Sequence, residues 1–348
     1  MSRGQTAYRV PRTYGPKIVA IGGGHGLSNL LRGLKQYSRN ISAIVTVADD
    51  GGGSGVLRQD LGMPPPGDIR ACCEALANTE SVLKDLMHYR FKEGVLTGQS
   101  FGNLLLAALN GISPSFDVAV ARMSEVLAIT GRVLPVTTAD VRLEATFDNG
   151  ASIIGESVIS KYKKQADCRI AHVRLLPEHP QALPAALRAI REAELIVLGP
   201  GSLYTSVIPN LLVDGIVRAI QRSKAMKIYV CNVMTEDGET ENYTVSDHIA
   251  AIFQHSAPDC SRYALSVPAA CRKSPPPAMP WRAPPRSYSI QNAVSAWAWR
   301  LSRVRWRRSR TDAFCTISSV WRGRFSRSTP NGRSVSRATV SGAELIRR

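Results

Sequence analysis

Two glycine-rich stretches, Gly22-Gly23-Gly24-His25-Gly26 and Gly199-Pro200-Gly201-Ser202, each follow a short apolar run, Lys17–Gly22 and Glu194–Leu198. Glycines at such a turn let backbone N–H groups approach a phosphate, and the dipole of the helix that follows favours its charge. A glycine turn between strand and helix also serves for tight packing alone, but two of them in one chain are less easily dismissed than one. The first is not the GxGxxG dinucleotide fingerprint, because Leu27 holds the third glycine position, and this argues against a nicotinamide dehydrogenase. His25, alone in its loop, reads as structural.

Two carboxylates, Asp49 and Asp50, end a second apolar run in the segment Asp-Asp-Gly-Gly-Gly-Ser-Gly. One could contact a ribose hydroxyl or hold Mg²⁺ through water, while the other, pointing to the opposite face, is expected to cap a turn or helix. Asp68 in PPGDIR and Asn103 in SFGN stand at presumed helix starts, where capping explains them as well as a site does. After the second glycine loop come three hydroxyl side chains, Ser202, Thr205 and Ser206, and beyond the last apolar run lie Asn232 and the turn Glu236–Thr240. There is no GxxxxGK[ST], GxSxG or HExxH, which removes simple P-loop NTPase, α/β-hydrolase and zincin chemistry. Spacing therefore points to a phosphorylated or nucleotide-type ligand and no further.

The elements that would position these residues alternate. Lys17–Gly22 reads as a strand and Leu27–Tyr37 as a helix, with Leu27, Leu30, Leu31 and Leu34 at helical spacing. Ile41–Ala48 is a continuous apolar strand of the kind covered on both faces. Helices are expected from Asp68 and from Asn103, and short strands at Val133–Val136, Val141–Phe147 and Ser152–Ile154 around the turn Asp148-Asn149-Gly150 predict a small antiparallel insert. From Ala182 the pattern resumes as helix, strand (Glu194–Leu198), helix (Leu211–Gln221) and strand (Lys227–Val233). The fold class expected is α/β: a Rossmann-like, doubly wound, mostly parallel sheet.

Composition divides the 348 residues unequally. The formal net charge is +17, yet Ser256–Arg348 holds 18 Lys+Arg against 3 Asp+Glu, leaving +2 for residues 1–255. All five Trp lie in that tail, which is rich in Arg, Ser and Pro and has no periodic apolar pattern. We therefore expect a polar leader over residues 1–16, a ligand-binding domain over 17–255, and a tail over 256–348 that bears the marks of an out-of-frame reading or a disordered extension. An Arg-rich RNA-binding arm is the other reading of the tail, but nucleic acid is not the expected partner. Cys72, Cys73, Cys168 and Cys231 show no metal-ligand spacing, so no metal site is expected from them. No run of about 18 apolar residues exists, and a cytoplasmic protein without a membrane span is expected.

Taken in order, IGGGHGLSNLLRGLK, ISAIVTVADDGGGSG, PPGDIR, SFGNLLLAAL, GRVLPVT, GPGSLYTSVIPNLLV and NVMTEDGET resemble the gluconeogenesis factor family (YvcK-type) of the CofD-like superfamily, over about 230 residues. The resemblance implies a Rossmann-like domain, a nucleotide-sugar ligand such as UDP-N-acetylglucosamine, and a regulatory role in cell shape and carbon use without demonstrated catalysis. The transferase branch of the superfamily implies the alternative, metal-dependent transfer of a phospholactyl group, with Mg²⁺ expected only in that case. The ligand-binding residues the resemblance carries over are Gly23, Gly24, Asp49, Asp50, Asn103, Gly201, Ser202 and Thr205. Two positions depart from the family pattern: Gly53 stands where Ser is usual, and Gln99 where His is usual.

Overall fold

The computed structural model describes residues 15–166, 168–232 and 234–257, together with short strands at 263–266, 339–340 and 343–347. Most of the leader, and most of the tail expected from residue 256, lie outside the described residues.

The first βαβ unit is β1 (Ile18–Gly22), α1 (Gly24–Leu34) and β2 (Ile41–Val45). Every residue of both strands is buried, as a parallel sheet covered on both faces requires. Helix α1 starts at Gly24, inside the glycine run, and turns Leu27, Leu30, Leu31 and Leu34 onto the sheet, each fully buried. Burial of such side chains contributes about 1.5–3 kcal/mol apiece. Helices α2 (Gly52–Leu61), α3 (Gly67–Leu76), α4 (Ser81–His88), α5 (Phe101–Gly111) and α6 (Phe116–Val126) follow before β3 (Arg132–Pro135), which pairs parallel with β2.

The insert consists of β4 (Arg142–Phe147), β5 (Ser152–Ile154), α7 (Glu156–Gln165) and β6 (Ile170–Leu176), its three strands antiparallel in the order β5-β4-β6. The expected insert is thus real with one strand exchanged. Residues 132–135 extend the main sheet, and the third insert strand is β6, whose alternating burial marks one solvated face. Arg58 of α2 ties the insert down, donating from Nη2 to Asp140 Oδ1 at 2.5 Å and to the Val141 carbonyl at 2.6 Å.

The main sheet resumes with α8 (Pro184–Glu192), β7 (Leu195–Leu198), a π-helical turn (Leu203–Val207) leading into α9 (Ile208–Leu211), then α10 (Ile216–Arg222), β8 (Met226–Val230) and α11 (Val245–Gln254). The parallel order β3-β2-β1-β7-β8 places β1 at the centre, with β2 and β3 wound to one side and β7 and β8 to the other. Strand β9 (Tyr263–Ser266) adds parallel to β8, beyond residue 255, and β10 (Thr339–Val340) and β11 (Ala343–Arg347) pair antiparallel outside it. The order reverses between β1 and β7. In a doubly wound sheet that reversal opens a crevice at the carboxyl ends of the strands.

Candidate functional site at the glycine loops

Both glycine loops sit at that reversal and touch. A Cβ on Gly26 would lie 2.5 Å from the Pro200 carbonyl oxygen and 2.9 Å from Gly201 Cα, so the absent side chain is what lets the loops meet. Gly23 is enclosed by Asp68, Thr46 and Ser206. The second loop is clamped from β8: Asn232 Nδ2 donates to the Gly201 carbonyl at 2.9 Å and Asn232 Oδ1 accepts from Gly201 N–H at 3.2 Å.

Two of the hydroxyls of this loop are already engaged. Ser202 Oγ donates to Glu236 at 2.8 Å and Thr205 Oγ1 to Glu239 at 2.7 Å, while Glu239 also accepts the Tyr204 N–H at 3.1 Å. Glu239 is only 1% exposed, and burial together with neighbouring Glu236 pushes its carboxyl up to about 8 despite those donors. The loop after β8 thus holds the π-helical turn in shape. Thr205 is buried in that support, and Ser202 stands at its edge.

The adjacent aspartates lie past the end of β2 at Val45 and face different neighbours. Asp50 faces the insert and accepts the Ser157 N–H at 2.8 Å, satisfying a free donor in the first turn of α7. Asp49 accepts the Gly51 N–H at 2.8 Å and faces Gly67, Asp68 and Glu156. Asp68 does not cap its own helix; its carboxyl accepts from Gly24 N–H at the start of α1. Burial and the nearby Asp49 push it up to about 7. Glu156, first residue of α7, is raised by burial and by the charges of Asp49 and Asp68, and hydrogen-bonds Asp49. Asp49, Asp68 and Glu156 therefore meet at the crevice from three separate chain segments. Carboxyls raised in this way hold protons near neutrality and donate hydrogen bonds instead of repelling an anion.

Asn103 is positioned, not capping: Ser100 Oγ accepts its N–H, and its Oδ1 accepts from Arg70 Nε at 2.8 Å, with Arg70 anchored on Glu74 at 2.5 Å. The two departures from the family pattern prove to be neighbours. A Cβ on Gly53 would lie 2.7 Å from Gln99 Oε1 and 3.7 Å from Asn103 Nδ2, so Gln99 fills the space that a side chain at 53 would use. Gln99 Oε1 is buried and has no hydrogen-bond donor.

Of the residues expected at the site, Gly23, Gly24, Asp49, Gly201 and Ser202 surround the loop junction, Asn103 borders it through Arg70, and Asp50 and Thr205 hold its supports. Asp68, Glu156 and Glu239 are the additions. Asp68 was legible only as a cap, Glu239 only as part of a turn, and Glu156 had no local signal. Among the described residues no group of three or more His, Cys, Asp or Glu side chains has the geometry to hold a metal ion. Cys72, Cys73, Cys168 and Cys231 are buried. Among the described residues no helix is long and apolar enough to cross a membrane.

Residues 18–274 match the family model for the 2-phospho-L-lactate transferase CofD, and the chain belongs to that family. The match runs past the boundary expected at residue 255. The chain is 59% identical over 241 residues to a protein of Thermoanaerobacterium thermosulfurigenes carried under the gluconeogenesis-factor name, covering 69% of this chain and 75% of that one. It is 52% identical over 241 residues to the gluconeogenesis factor of Bacillus subtilis, covering 69% and 75% of the two chains. A crystal structure of a UPF0052 family member from Bacillus halodurans superposes with a TM-score of 0.69 at 48% identity, over 72% of this chain and 79% of that one.

Proposed function

We propose that the chain binds a nucleotide sugar of the UDP-N-acetylglucosamine type at the glycine-loop junction and acts as a cytoplasmic regulator of cell morphogenesis during gluconeogenic growth, without catalysing a reaction. The observation that carries this reading is the contact of two glycine loops at the β1/β7 reversal, where glycine backbone and the amino end of α1 would suit a diphosphate. In this reading Glu156 and Asp68, with their raised carboxyls, would meet sugar or ribose hydroxyls. The gluconeogenesis-factor names of its relatives support the regulatory part. Calorimetric titration of the folded chain with UDP-N-acetylglucosamine is expected to give saturable binding, and its absence overturns the proposal.

The proximity of Asp49 to Asp68 favours one second reading, a phospholactate-type transferase. Mg²⁺ is commonly held by one or two carboxylates plus substrate phosphates, and Asp49, with Asp68 deprotonated by the cation, would take that role. The metal would neutralise charge on the transferring group, while Arg70 and Asn103 would keep that side of the site in place. Mg²⁺-dependent product formation from a phosphoanhydride donor would establish this reading; inactivity with Mg²⁺ present would remove it.

A further inference from the structure

At the opposite end of the sheet, beneath the amino ends of β1, β2 and β3, lies a cavity of about 280 Å³. Lys17, Arg39 and Arg132 line it, and Glu192 at the end of α8 supplies its one carboxylate. Lys17 Nζ pairs with Glu192 at 3.1 Å. Arg132 donates through Nε to Ser42 Oγ at 2.8 Å, which fixes the guanidinium and leaves its terminal nitrogens free of that bond. Arg39 makes no hydrogen bond or ion pair among the described residues.

This clustering is not a reflection of an overall basic surface, since residues 1–255 carry a net charge of only +2. Glu192 feels Lys17 first and then Arg132 and Arg188, and its carboxyl is held below the usual range, so it stays ionised and cancels one positive charge. The carboxyl end of α8 subtracts a further fraction of a charge. A clear positive excess remains, concentrated in a concave space with two fixed-charge guanidiniums. Guanidinium groups bind phosphate and carboxylate oxygens in pairs of parallel hydrogen bonds. The volume suits a small ligand and is too small for a nucleotide sugar, since pockets for larger ligands run upward from about 300 Å³.

We infer that the cavity under the amino ends of β1–β3 is a second binding site, for a small multivalent anion bearing phosphate or carboxylate groups, gripped by Arg39 and Arg132. It is separate from the glycine-loop site and does not depend on what that site binds.

The test uses pyrophosphate as probe, titrated calorimetrically into the full chain, its Arg39→Glu and Arg132→Gln variants, and Arg39→Lys. Arg39 is exposed, so its variants are expected to melt with the parent. Saturable binding is expected in the parent, weakened at least tenfold in Arg39→Glu and Arg132→Gln and only a few-fold in Arg39→Lys. No saturable binding in the parent, or equal affinity in Arg39→Glu, overturns the inference. A parallel titration with UDP-N-acetylglucosamine keeps the two ideas apart, because its result in Arg39→Glu should equal that in the parent, whatever that result is.

Discussion

The two ends of the same central strands differ in every respect that matters for a ligand. At their carboxyl ends, glycine lets two stretches of main chain meet, acidic side chains gather from Asp49, Asp68 and Glu156, and many of the polar groups are cross-braced. At their amino ends the chemistry rests on a few long basic groups, with Lys17 paired to Glu192, Arg132 held by Ser42 and Arg39 unheld. The first end is a built structure whose parts depend on one another. The second is an arrangement of charges on a fold that stands without them, and the difference should appear as steep responses at one end and shallow ones at the other.

The largest effect is expected from Gly26→Val, which drives a branched side chain into the Pro200 carbonyl. Overpacking costs typically up to about 3 kcal/mol, and urea unfolding should register a loss of that order together with loss of nucleotide-sugar binding. Glu239→Ala comes next, because it strands the Thr205 hydroxyl and the Tyr204 N–H in a buried place; roughly 2–3 kcal/mol should be lost, and no more than about 1 in Glu239→Gln.

The pH response separates the two ends directly. Asp68 at about 7 and Glu239 at about 8 lie above the ordinary carboxylate value of about 4, so between these limits the folded chain binds protons that the unfolded chain has released. The stability they contribute is fully present below about pH 4 and is lost as pH rises through 7 and 8. Melting temperature measured from pH 6 to 9 should therefore fall, and Glu239→Gln should flatten the curve; a rise with pH would refute the assignment. At the amino end the carboxyl of Glu192 is shifted the other way, held below the usual range by Lys17, and so adds no fall over this window.

Smaller still is the coupling between Gly53 and Gln99. Gly53→Ser alone should destabilise, and Gln99→His should relieve the crowding, giving a double-mutant interaction of about 0.5–1 kcal/mol. Arg39→Glu closes the series with a change in stability within about 0.5 kcal/mol, measured in the same unfolding experiment.

The sheet was legible in the sequence where a strand is short, apolar and followed at once by glycine, as Ile18–Gly22 and Leu195–Leu198 show. The two loops were legible for the same reason. Strand Arg132–Pro135 was harder to place, because four residues with mixed burial suit an insert as well as a sheet edge. Glu156 was invisible: its neighbours Gly155 and Ser157 say only that a helix begins, and its meeting with Asp49 depends on how the insert folds back, a contact across more than a hundred residues of chain. The role of Asp68 was obscured by its position, since an acid in a first helical turn is explained by its own helix until the distant Gly24 is seen beside it.

The split of Asp49 from Asp50 has a consequence for how the chain tolerates change. One carboxyl addresses the crevice and the next fastens the insert helix through Ser157, so the boundary between recognition and scaffolding falls on a single peptide bond. Deleting one residue just ahead of them would trade their assignments, handing the crevice a carboxyl meant for the insert and leaving α7 unfastened. That stretch of chain is accordingly a ruler whose length, more than its composition, is what the fold must preserve.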